Sequence, residues 1–170
     1  MTRAPSVLTS LVKAGFSGLN EAKSRLEIGG FDAGDFSESA NPDLSLKTVE
    51  ALREKNPTAF AKLWAKPTYR SRLVLLTGAS SGLGDFLHRH VDQWKLVASP
   101  LRRVLNQAEY LALMATAIEG KDGAAAVMAL RVSYRRELSR LALWDASAAA
   151  PVDVVHEVAR SLSDLAGAAL

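Results

Sequence analysis

The stretch RLVLLTGASSGLGDFL, residues 72–87, decides the fold. An apolar run leads into Thr77-Gly78-x-x-x-Gly82-x-Gly84, a spacing with which a glycine turn can cradle the pyrophosphate of a dinucleotide. Read so, Leu73–Leu76 is a buried strand and the protein is built on a parallel sheet. Read otherwise, the same run is one turn of a buried helix, because a short apolar run fits either. The context separates the two. A dinucleotide cradle follows a buried strand and opens a helix, so that free backbone N–H groups meet the phosphates. A further strand must come next, with a ribose-binding residue roughly 20 positions on. The sequence that follows, HVDQWKLVASPLRRVL (90–105), offers no second strand.

Short-chain dehydrogenases, which use this glycine spacing, also carry a catalytic Tyr-x-x-x-Lys pair. Here Tyr69 is followed four residues on by Leu73, Tyr110 by Met114 and Tyr134 by Leu138. NAD(P) binding at Thr77–Gly84 therefore stands only as a third reading. The helical reading gives each small residue a task. Gly78 would stop one helix in the left-handed conformation that costs glycine nothing. Ser80 or Ser81 would cap the next. Gly82 and Gly84 would let two helices approach closely.

Outward from this junction the punctuation is helical. Asn41-Pro42 and Asn56-Pro57 each set a capping residue before a first-turn proline. Leu46, Val49 and Leu52 follow the first, and Phe60, Leu63 and Trp64 the second. Lys66-Pro67 ends that second helix, and another spans Tyr69 to Thr77. Val91, Trp94 and Val97 form a short apolar face stopped by Pro100. Asn106 caps a helix with Ala108, Leu111, Met114 and Ile118, which Gly120 ends. Asp122 opens the longest periodic run, with Val127, Leu130, Tyr134, Leu138 and Leu141. Pro151 begins a last helix lined by Val155, Val158, Leu162 and Leu165. No alternating strand is evident. The expected fold class is all-α, a multi-helix bundle. Ile28 to Ala40, rich in glycine, serine and acid, reads as a linker. The expected domains are thus residues 1–40, an N-terminal helical piece with its linker, and 41–170, the bundle.

Hydrophobic residues make up 48% of the 170-residue chain, enough for one packed domain. Aromatics are only 6% and alanine is abundant, which favours helices. The net charge of +3 is spread along the chain, so no nucleic-acid footprint is expected. The absence of cysteine excludes disulfides and thiolate metal sites and fits a reducing, cytoplasmic setting. No apolar stretch approaches the ~18 residues of a membrane span, and Met1–Phe16 lacks the apolar core of a signal peptide.

Three stretches together resemble the N-terminal region of the bifunctional glutamine synthetase adenylyltransferase/adenylyl-removing enzymes. They are ANPDLSLKTVEAL (40–52), YRSRLVLLTGASSGLGDFLHRHVDQWKLV (69–97) and ALRVSYRRELSRLALWD (129–145). In the middle stretch Leu83-Gly84-Asp85, His90 and Trp94 match the family pattern. In the third, Arg131, Tyr134, Arg135 and Arg136 match its arginine-bearing helix. The resemblance implies a parent enzyme, a nucleotidyltransferase that moves AMP from ATP to a tyrosine of glutamine synthetase and removes it by phosphorolysis. Glutamine and a PII signalling protein would set the balance, in control of nitrogen assimilation. It implies ATP and Mg²⁺, held by an Asp-x-Asp pair in each catalytic core. This chain has no Asp-x-Asp, and Gly120-Lys121-Asp122-Gly123 lacks what should follow a catalytic glycine turn. The expectation is an N-terminal fragment or truncated product that supports the adenylyl-removing domain. On that view the chain alone is inactive, with no catalytic, cofactor-binding or metal residues. Its partners would be glutamine synthetase and PII, with no nucleic acid and no membrane. A free-standing helical interaction module is the alternative.

The candidate interface is Arg131, Arg135, Arg136 and Arg140, brought together by three- and four-residue steps. Such a row also fits an ordinary solvated helix face, with Glu137 nearby. His88 and His90 lie two residues apart and point in different directions on a helix, against a metal site. His156 has no evident partner on the last helix. Asp85 is placed to interact with the start of its own helix. Trp64, Trp94 and Trp144 read as core or interface aromatics.

Overall fold

The computed structural model describes residues 7–100 and 102–170. The first six residues of the expected N-terminal piece lie outside that range. The described residues form nine α-helices and no strand. These are α1 (Val7–Lys13), α2 (Leu19–Gly29), α3 (Pro42–Lys55), α4 (Pro57–Trp64), α5 (Pro67–Ala79), α6 (Ser81–Arg89), α7 (Gln107–Ile118), α8 (Gly123–Ala146) and α9 (Pro151–Ala168). Tight 3-10 turns cover Ala33–Phe36 and Val91–Ala98. The all-α reading holds. The chain divides into two compact units, one running to Trp94 and one from Lys95. The boundary expected between residues 40 and 41 falls inside the first unit.

In the first unit α3 is the central element, packed against α2, α4, α5 and α6. Its start is set as the sequence predicts: Asn41 Oδ1 accepts the Leu44 N–H at 3.0 Å, ahead of Pro42 in the first turn. Asn56 does the same for α4, accepting from Ala59 at 3.0 Å. Leu46, Val49 and Leu52 are fully buried, with Leu73, Leu76 and Leu87 from α5 and α6.

Residues 28–40 are not a loose linker. Phe36 is 0% exposed, and the Asp32 side chain caps the turn before it by accepting the Gly34 N–H at 2.7 Å. Phe36 meets Phe16, Phe31 and Trp64 at ring-centroid distances of 5.9, 6.1 and 6.1 Å, and Phe60 stacks on Trp64 at 5.2 Å. The N-terminal helices are also tied to α3 directly. Asp43 accepts the Ser17 and Gly18 N–H groups at 2.8 and 3.2 Å, Arg25 pairs with Glu50 at 2.7 Å, and Arg53 donates to the Gly29 carbonyl at 2.6 Å.

The second unit is α7, α8 and α9, each touching the other two. Asn106 and Glu109 form a reciprocal capping box at the start of α7. Gly120, at φ +67°, ends it as expected. Tyr110, Met114, Leu165 and Ala168 form the core, with Leu105, Leu113, Leu130, Tyr134 and Leu138 around them. Several expected core positions face outward instead: Leu111, Val127, Val155 and Leu162 are exposed.

Candidate functional site

The glycine segment forms a helix junction. Leu73–Thr77 lies within α5, so no strand precedes the glycines. Thr77 is buried, and its hydroxyl donates to the Leu73 carbonyl and lies 2.9 Å from the Ser45 hydroxyl of α3. Gly78 is not the left-handed stop that was expected; α5 continues through it to Ala79. The chain breaks at Ser80 instead, in extended conformation (φ −161°, ψ 129°). Ser80 stands at the N-cap of α6 but its side chain makes no capping bond. Gly78 is needed for proximity: a Cβ there would lie 1.8 Å from Ser39 Oγ and 3.2 Å from the Asn41 carbonyl oxygen. Gly84 plays the close-approach part foreseen for it, since a Cβ would stand 2.8 Å from Thr48 Cγ2 of α3, whereas Gly82 is exposed. The backbone N–H groups that a pyrophosphate would need are thus not presented behind a sheet. The motif fastens α5 and α6 to α3.

The four arginines of α8 do not act as one surface. At 3.6 residues per turn, Arg131 and Arg135 share one side, while Arg136 lies about 140° round from Arg131. Arg131 and Arg135 are exposed. Arg136 Nε and Arg140 Nη1 each donate to the Glu137 carboxylate at 2.8 Å, and that side chain is 1% exposed. Arg136 also donates to Ser133 Oγ at 3.2 Å. Glu137 is therefore a hub that takes up two of the four cations, which the sequence reading placed only as a neighbour. A signal was available: a lone acid amid four arginines on a helix whose neighbours Tyr134 and Leu138 read as core.

Beside this hub, the fully buried Tyr110 hydroxyl lies 2.8 Å from Ser161 Oγ, which donates in turn to the Leu105 carbonyl at 3.3 Å. Burial pushes the Tyr110 hydroxyl above its ordinary pKa, with the negative Glu137 adding to it. The hydroxyl is thus a neutral fastener between α7 and α9.

Of the remaining candidates, Trp94 is built into the core, and His88, His156 and Asp85 lie at the surface. His88 is exposed and His90 packs its ring 5.0 Å from Phe86. His156 is exposed. Asp85 is exposed, 3.8 Å from Arg89 one turn on. Trp94 is buried and donates its indole N–H to the Leu87 carbonyl at 2.8 Å. Trp64 belongs to the aromatic cluster, and Trp144 is half-buried. Among the described residues no three His, Asp or Glu side chains converge as a metal site would require, and no helix is long and apolar enough to cross a membrane.

Comparison with known proteins points one way. The chain is 34% identical to the bifunctional glutamine synthetase adenylyltransferase/adenylyl-removing enzyme of Leifsonia xyli, over 100% of its own length and 18% of that protein. The enzyme of the same name from Streptomyces coelicolor is 31% identical over 99% of this chain and 17% of its own. That from Mycobacterium avium is 29% identical over 96% and 18%. This chain is homologous to one segment of that enzyme family. It spans less than a fifth of the length of these relatives. No family model matches the chain, and no solved structure does.

Proposed function

We propose that this chain serves as the leading helical part of a glutamine synthetase adenylyltransferase/adenylyl-removing enzyme. Its work there is to buttress the adenylyl-removing domain and to help present glutamine synthetase to it. The observation that carries this reading is the match of the whole chain to a small share of much longer enzymes of that name. In this reading ATP and Mg²⁺ act in catalytic cores outside these residues, since the chain has no Asp-x-Asp pair. The chain alone is then inactive. Glutamine synthetase and a PII signalling protein are partners of the complete enzyme, which works in the cytoplasm without nucleic acid or membrane.

The test is a transplant. The matching segment of the Leifsonia xyli enzyme is replaced by this chain, and AMP transfer to and from glutamine synthetase is measured. A chimera that keeps both reactions, beside a free chain that performs neither, is the expected result. A folded chimera that loses both reactions would overturn the proposal. It would favour the free-standing interaction module, for which the exposed apolar residues of the second unit speak.

A further inference from the structure

We draw no further inference here: the strongest candidate, the cleft of about 220 Å³ between α2 and α3 lined by Glu21, Arg25, Asp43 and Lys47, carries nothing, because Arg25 already bonds Glu21 and Glu50 and Asp43 already accepts the Ser17 and Gly18 N–H groups, neither Ser39 nor Gln93, which hold buried polar atoms without a partner, lines it, and the space falls short of the roughly 300 Å³ at which small-molecule sites begin.

Discussion

Ser39 keeps its hydroxyl buried and without a partner, and that hydroxyl occupies the space into which a Gly78 side chain would grow. The two positions should therefore couple. Gly78→Ala gains up to about 1 kcal/mol of helix propensity but drives a methyl into Ser39 and the Asn41 carbonyl, an overpacking worth about 1–3 kcal/mol. Ser39→Ala discards a hydroxyl that bonds to nothing and should be near neutral. With both changes the worst collision disappears, so the double variant should recover most of what Gly78→Ala loses. Urea denaturation of the four proteins measures this, and strict additivity would contradict the packing argument. Glu109 allows a second test at this scale. The Arg103 guanidinium, with Nη1 3.0 Å away, and the Asn106 N–H hold its carboxyl at about 2 rather than 4.5. Because the folded group titrates below the unfolded one, its support of α7 is complete above about pH 4.5 and is lost as pH falls towards 2. Glutamine can keep the capping bond without the charge. Glu109→Gln should thus melt below the parent at pH 7, and the gap should close towards pH 2. A gap that stays constant with pH would show that the charge contributes nothing.

Among the elements, starts and stops were the most legible feature of the sequence, because they depend on neighbours a few residues apart. Asn41-Pro42, Asn56-Pro57, Lys66-Pro67, Asn106 and Gly120 all act as read. Buried faces were less legible. In α9 apolar residues occupy more than half the helix circumference, so periodicity alone cannot say which half turns inward. The Tyr110–Ser161 bond settles it by drawing the Ser161–Leu165–Ala168 edge to α7, leaving Val155 and Leu162 exposed. The α8 arginines misled for a related reason: a charge row shows positions but not which cations a buried acid has already claimed. Glu137 should accordingly matter more than any one of them. Glu137→Ala leaves two guanidinium groups that are only 30% and 26% exposed without their counter-ion. Removing one partner of a buried pair costs about 3–5 kcal/mol, and the arginines' remaining access to water sets the expectation at about 3. Arg131→Ala, on the exposed edge, should cost under about 0.5 kcal/mol. Thermal or urea unfolding of the two variants gives the comparison, and equal losses would mean that Glu137 is not the hub of the helix.

At the scale of the molecule, the sequence suggested a detachable beginning, because residues 28–40 have the composition of a linker and their two phenylalanines fit no helical period. Long-range contact gives those rings their place. Phe31 and Phe36 reach Phe60 and Trp64 across more than twenty positions of sequence, with Phe16 closing the cluster. No local pattern carries such information. A chain cut to begin at residue 41 would bare Phe60 and Trp64 and strip α3 of its ties to Ser17, Gly18, Arg25 and Gly29. Losing Phe36 alone should cost about 3–5 kcal/mol, a large part of the roughly 5–15 kcal/mol that holds an ordinary domain together. The shortened chain should accordingly unfold without a cooperative transition, or aggregate through the bared rings, while the complete chain melts sharply. The tryptophan emission reports the difference, since the share of it from Trp64 should shift to the red once water replaces Phe31 and Phe36, beside the shares of Trp94 and Trp144. If residues 41–170 instead kept a sharp melt and an unshifted emission, the opening helices would be a separable piece after all, and the aromatic cluster would be decoration on a bundle that stands without it.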